Sequence, residues 1–115
     1  MTYVGTDPYL VVNKDGDRYF RLSYDEAHMF RTVKGTKVYS AKQVARHVQR
    51  TYRLQERAHE AYAYLERGPQ WAKTWPVDAA ALDTARDRFH RAEALWILWC
   101  ERERLLTTAV RLDAA

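Results

Sequence analysis

Glycine and proline are absent between Gly35 and Gly68, and again from Val77 to Ala115. Glycine weakens a helix through its conformational freedom, and proline breaks one through its missing N–H and its ring. Stretches this long without either predict two long helices. With four glycines and three prolines in 115 residues, the chain also lacks the turn supply of an all-β sandwich. Its 47% hydrophobic content suffices for one modest core and is too high for a disordered chain, so residues 1–115 are expected to form one domain.

Helix boundaries follow from local chemistry. Ser40-Ala41-Lys42-Gln43 is a capping box that starts a helix over residues 41–67, and Gly68-Pro69 stops it. The linker 68–76 holds Trp71 and Trp75, which are expected to cap a helical hairpin. Thr74 or Asp78 can then act as N-cap for a helix over residues 77–112. At 1.5 Å per residue these helices are roughly 40 and 50 Å long. The short linker makes them antiparallel, with position i facing roughly 145 minus i.

Residues 1–40 read differently. Tyr9–Val12 and Tyr19–Leu22 are aromatic and β-branched runs around Asn13–Arg18, which predicts a β-hairpin. Pairing Asn13 with Arg18 places Tyr9, Val11, Phe20 and Leu22 on one face. Asn13, Asp15 and Asp17 have calcium-loop spacing, but Arg18 stands where glycine is needed and Tyr24 where the closing Glu belongs, so the segment reads as a turn. Ser23-Tyr24-Asp25-Glu26 is a second capping box, opening a short helix to about Val33. After Gly35, Thr36–Tyr39 has the composition of a third strand. A two-stranded hairpin is marginal in water, so the rest of the chain must cover it. The expected fold is α+β and mainly helical: an N-terminal β-hairpin and short helix, with a possible third strand, packed on a long antiparallel helical hairpin.

Charge is unevenly placed. The net charge is +4, yet between Glu26 and Glu56 there is no acidic residue, while Arg31, Lys34, Lys37, Lys42, Arg46, Arg50 and Arg53 all fall there. On a wheel at 100° per residue, Lys42, Arg46, Arg50, Arg53 and Arg57 span about 80° of the second helix. Ala41, Val44, Ala45, Val48, Tyr52, Gln55, His59 and Tyr62 lie on the opposite side. Such a stripe suits a nucleic-acid backbone, where each neutralised phosphate releases counterions. A solvated helix face commonly mixes signs through i,i+4 pairs, as the third helix does with Asp83 near Arg86 and Asp87 near Arg91.

Leu22-Ser23-Tyr24-Asp25-Glu26-Ala27, followed by Val33 and Val38-Tyr39, resembles the helix-turn-helix opening of excisionase and MerR-type winged domains. There a Leu-Thr-x-x-Glu-Ala helix precedes a Val and then a Val-Tyr pair in the recognition helix. The resemblance covers residues 22–39 and implies DNA rather than RNA as the ligand. By that analogy the first turns of the second helix would do the reading, with Gln43 and Gln49 as base-edge contacts, since a carboxamide pairs bidentately with adenine.

In the third helix Leu82, Ala85, Phe89, Ala92, Trp96, Trp99, Leu106 and Val110 recur at spacings of three and four, a seam expected to face the second helix. Leu95, Leu98, Leu105, Ala109 and Leu112 form a second apolar face, of which Leu98, Leu105, Ala109 and Leu112 are the expected partner interface, with a homodimer as one outcome.

Catalysis has no support in the pattern. His28, His47, His59 and His90 lack metal-ligand spacing, and each is expected to be structural or exposed. Glu56 and Glu60 are explained by the neighbouring Arg53 and Arg57. Cys100, the single cysteine, lies in an apolar run and reads as a small hydrophobe. No disulfide, metal, cofactor or enzymatic activity is expected. The N-terminus lacks the form of a signal peptide, and the longest apolar run, Ala94–Cys100, falls far short of the roughly 20 residues that span a bilayer, so a cytoplasmic protein without a membrane helix is expected. The abundance of Arg over Lys and of Ala is typical of G+C-rich bacteria and their phages. The expected function is that of a non-enzymatic bacterial or phage DNA-binding accessory protein, touching phosphates through Lys42, Arg46, Arg50 and Arg53, flanked by Arg31, Lys34 and Lys37. The alternative is a protein-interaction module, such as a phage-encoded inhibitor, engaging an acidic protein surface.

Overall fold

A computed structural model describes residues 6–69, 71–72 and 74–114, the last six of these through their backbone alone. The elements run β1 (Asp7–Asn13), β2 (Gly16–Leu22), α1 (Tyr24–Arg31), β3 (Lys37–Ser40), α2 (Ala41–Arg67) and α3 (Ala79–Ala114). The fold is α+β and mainly helical, as expected, and the third strand is present. The described residues separate into two compact units, one holding residues up to His47 together with those from Trp99 onward, the other Val48–Leu98.

In the first unit β1 is the central strand of an antiparallel sheet ordered β2-β1-β3. Alternation sends Tyr9 and Val11 to one side, where they are buried with Leu22, Val38 and Ala27 of α1, with Phe30 packed against the group. Phe20 on the same face stacks on Phe30, ring centres 5.8 Å apart. The sequence-derived face is thus correct, although the register is not: Asn13 pairs with Gly16, not Arg18. A two-residue slip preserves which side chains share a face. The tighter turn is possible because the Asn13 side chain accepts the Asp15 N–H at 2.8 Å and Gly16 supplies the left-handed backbone, φ 120°, just after it.

Leu10, paired with Tyr19 and Tyr39, points to the opposite face and is completely buried. Trp99 of α3 meets this side edge-on at Tyr39, 5.2 Å between ring centres. The sheet therefore has both faces covered. Val38 and Tyr39 are strand residues, paired with Val11 and Leu10, so the recognition-helix placement implied by the helix-turn-helix resemblance is not formed. Burying a β-branched Val on a sheet edge outweighs the local pattern. Helix α1 ends at Arg31 rather than near Val33, where Thr32 closes it through Met29. Ser23 and Glu26 form the expected capping box, which holds the Glu26 carboxyl below its ordinary range.

In the second unit α2 and α3 form a helical hairpin. Along α2, Thr51 is buried and Val48, Gln55, Ala58, Tyr62 and Leu65 are half-buried, a seam with alternating three- and four-residue steps. It is displaced from the sequence-derived face: Tyr52 and His59 are exposed, while Thr51, Ala58 and Leu65 are packed. A seam that repeats every seven residues drifts around an ideal wheel, which accounts for the shift. On α3, Leu82, Ala85, Phe89, Ala92 and Trp96 face inward as expected. Tyr52 meets Trp96 and His59 meets Phe89, about three residues from the predicted register.

Of the two linker tryptophans, Trp75 closes the end of α2. Its indole N–H donates to the Leu65 carbonyl at 3.2 Å, its ring meets Tyr64 edge-on, and it lies so close to Gly68, φ 71°, that a Cβ there would collide with it. Trp71, expected to share this role, is 84% exposed. Asp78 is the N-cap of α3, accepting from the Ala80 and Ala81 N–H groups at 3.0 and 3.2 Å.

Replacing Trp75 by Ala is expected to lower stability by about 3 kcal/mol, against less than about 0.5 kcal/mol for Trp71→Ala, in urea titrations followed by circular dichroism. The Glu26 cap contributes fully above the ordinary carboxylate range and is lost as pH falls through the lowered native value. Glu26→Gln should therefore flatten the fall in melting temperature below about pH 4.

Candidate nucleic-acid interface

Helix α2 follows β3 without a linker, and this junction fixes where its first cations stand. Ser40 is at once the last residue of β3, paired with Tyr9, and the cap of α2. Its backbone N–H donates to Gln43 Oε1 at 2.8 Å, and its hydroxyl accepts the Gln43 N–H at 3.2 Å. The first turn carries no acidic residue. A cleft of about 340 Å³ beside it is lined by Asp7, Ser40 and Lys42 among others. The Asp7 carboxylate opposes an anion there, although Lys42 lines the same cleft.

The stripe residues are all exposed: Lys42 and Arg46 in the first unit, Arg50, Arg53 and Arg57 in the second. Among the described residues none of the five is in an ion pair, not even with Glu56 or Glu60, whose presence the sequence reading assigned to Arg53 and Arg57. On α3 the signs pair in part: Arg86 lies 3.5 Å from Asp83, and Arg104 holds Glu101 through a forked contact that includes a 3.0 Å bond, whereas the expected Asp87–Arg91 pair is not formed among the described residues. Gln49 is exposed, whereas the Gln43 carboxamide oxygen is committed to the capping box. That bond holds the Gln43 carboxamide against the backbone, whereas Gln49 has no such tie among the described residues.

Arg31, Lys34 and Lys37, also exposed, form a separate group. They occupy the end of α1, the following turn and the first residue of β3. The length of β3, roughly 13 Å, lies between Lys37 and the start of α2. Along the chain they are thus set apart from Lys42.

One arginine escaped the sequence reading altogether. Arg102 of α3 grips Asp17 of β2 through two bonds, 2.7 and 3.0 Å, with side chains only 13% and 24% exposed. Its guanidinium also lies 4.5 Å over the Trp99 ring, which stacks on His47. Burial, with Asp17 close by, pushes the neighbouring Tyr19 phenol above its ordinary range. The sequence places Asp17 in a turn, and 85 residues separate it from Arg102. The pair is a structural clamp, and it removes Asp17 from any cation site. Among the described residues no group of three or more His, Cys, Asp or Glu could hold a metal ion.

Of the sequence-derived partner face, Leu98 is exposed, as is Leu95 beside it, while Leu105 is half-buried. The side chains of Ala109 and Leu112 lie outside the described residues. His47, His59 and His90 make ring contacts, and His28 is exposed. Cys100 is half-buried, and burial raises its thiol pKa. No helix among the described residues is long and apolar enough to cross a membrane. No known protein family, curated protein or solved structure matches the chain.

The two kinds of arginine should separate cleanly on mutation. Arg102→Ala is expected to cost about 2–3 kcal/mol, because a half-buried carboxylate loses its partner. Arg46→Ala or Arg53→Ala should stay within about 0.5 kcal/mol of the parent in the same denaturation assay.

Proposed function

We propose that this chain is a nucleic-acid-binding accessory protein that grips the phosphate backbone through Lys42, Arg46, Arg50 and Arg53 of α2, with duplex DNA as the preferred ligand. The observation that carries this reading is the row of exposed α2 cations without ion-pair partners among the described residues. Unpaired cations keep their full charge available to phosphate, whereas paired ones must first give up a carboxylate. Arg31, Lys34 and Lys37 add to the field that attracts the ligand. Gln49 is the side chain suited to touch a base edge. Backbone contacts of this kind set orientation rather than sequence preference, so binding is expected to be broad in specificity. A bacterial or phage origin and a cytoplasmic setting fit the composition.

A second reading has its own support. Leu95 and Leu98 are 42% and 41% exposed, which suits a protein-interaction module, or a homodimer, better than a freestanding nucleic-acid binder. In that case the cations of α2 would meet an acidic protein surface.

Affinity for a duplex of mixed sequence, measured by fluorescence anisotropy across a salt series, tests the first reading. Neutralising four phosphates predicts a log–log slope of roughly −3.6. Changing Lys42, Arg46, Arg50 and Arg53 together to Ala should flatten the slope while leaving the melting temperature nearly unchanged. A slope that is unaltered in this variant rules out the α2 cations as the contact.

A further inference from the structure

Within the second unit, α2 and α3 bound an open groove of about 620 Å³ that phosphate contact leaves unused. Ala61 and Leu65 of α2 and Ala81 and Thr84 of α3 line it, with Arg57 and Arg88 alongside them. The groove exists because alanine side chains end at Cβ and leave a trough between two helix cylinders. Its floor is poor in polar groups: the Thr84 hydroxyl donates its proton to the Ala80 carbonyl at 3.0 Å, which leaves only the oxygen to accept. An occupant must therefore be apolar where it touches the floor.

Charge selects the rest of the occupant. Arg57 and Arg88 are exposed, and neither is in an ion pair with a described residue, unlike Arg86, which pairs with Asp83 and lies over the Tyr62 ring. On the helical wheel Glu56, Glu60 and Glu66 of α2, and Asp83, Asp87 and Glu93 of α3, all fall about 90° or more from the groove side. The groove is apolar at its base and uniformly basic at its rim. Helical spacing continues the same side to Leu54 on α2 and Leu95 on α3, both exposed. From Leu54 to Leu65 is three turns, roughly 16 Å.

We propose that this groove docks an acidic amphipathic helix of a partner protein, about three turns long, with its apolar side chains on the alanine floor and its carboxylates on Arg57 and Arg88. A trough between two antiparallel helices is where a third helix packs ridge into groove. A nucleic acid gains little from a mainly alanine floor that presents no aromatic ring for a base to stack on. The proposal does not rest on nucleic-acid binding, which uses other side chains.

The test uses the full chain and two stapled helical peptides of about 14 residues, with leucines at i, i+3, i+7 and i+10, flanked by Glu in one and by Lys in the other. The Glu peptide is expected to bind at least about tenfold tighter in low salt, and to shift the amide resonances of Ala61, Ala81 and Thr84. The double variant Arg57→Glu with Arg88→Glu should reverse the preference with an unchanged circular dichroism spectrum. Equal affinity for the two peptides, resonance shifts confined to other residues, or an unreversed preference in the double variant would each overturn the proposal. So would movement of the same three resonances on dilution of the chain alone, which places a second copy in the groove, or on adding duplex DNA. Loss of DNA affinity in the Lys42, Arg46, Arg50 and Arg53 variant leaves this result untouched, so the two readings fail separately.

Discussion

A three-stranded sheet whose central strand buries side chains on both faces cannot exist unless both faces are covered, and this requirement organises the first unit. Tyr9 and Val11 of β1 are buried toward α1, and Leu10 between them is buried toward the other side. An eight-residue α1 can cover only the first face. The second takes Trp99, meeting Tyr39 and His47, with Arg102 drawn onto Asp17 at the edge of the same surface. The capped junction at Ser40 ties the first turn of α2 to the end of β3. The setting of Lys42 and Arg46 is thus inherited from the covering of Leu10.

The second unit solves a different problem with different means. Two helices joined by a short linker need a seam and a closed end. The seam combines small residues, Thr51, Ala58 and Ala85, with aromatic ones, Tyr62, Phe89 and Trp96. Mixed sizes let helices approach closely where the residues are small and interlock where they are large. The end is closed by Trp75 in contact with a glycine that no other residue could replace without displacing the indole. Close approach at the alanines is also what opens the Arg57–Arg88 groove, so one packing choice yields both the hairpin and a surface for a third helix.

Electrostatically the chain divides its cations by task. Arg102 and Arg104 hold carboxylates, and Arg86 is shared between Asp83 and the Tyr62 ring. Arg67 at the end of α2 meets Glu66, whereas Lys42, Arg46, Arg50, Arg53 and Arg57 hold no carboxylate among the described residues. A charge left unpaired on a surface contributes almost nothing to stability, so a row of such charges is open to a ligand at little cost to the fold. This division supports the binding proposals more strongly than the net charge of +4, which is too small to say anything until it is mapped.

Much of this architecture is a local matter and is readable along the chain. Ser23 with Glu26, Ser40 with Gln43, and Gly68 before Pro69 mark element ends because capping and left-handed backbone act within four residues. The missing glycines and prolines set the two long helices, and period-two alternation set the sheet face despite a slipped register. Other features required the folded chain. Trp71 and Trp75 are chemically alike, and only the approach of Gly68 and the Leu65 carbonyl decides which one closes the hairpin. Val38-Tyr39 became strand rather than recognition helix because β1 offered it a partner. The cation stripe was written in the sequence, but whether carboxylates neutralise it, as Asp17 does Arg102, depends on contacts between distant residues. Sequence determines what each segment prefers within a few residues, whereas pairing, burial and the choice of partner belong to the tertiary structure, because free energies of contact are set by what other segments bring near.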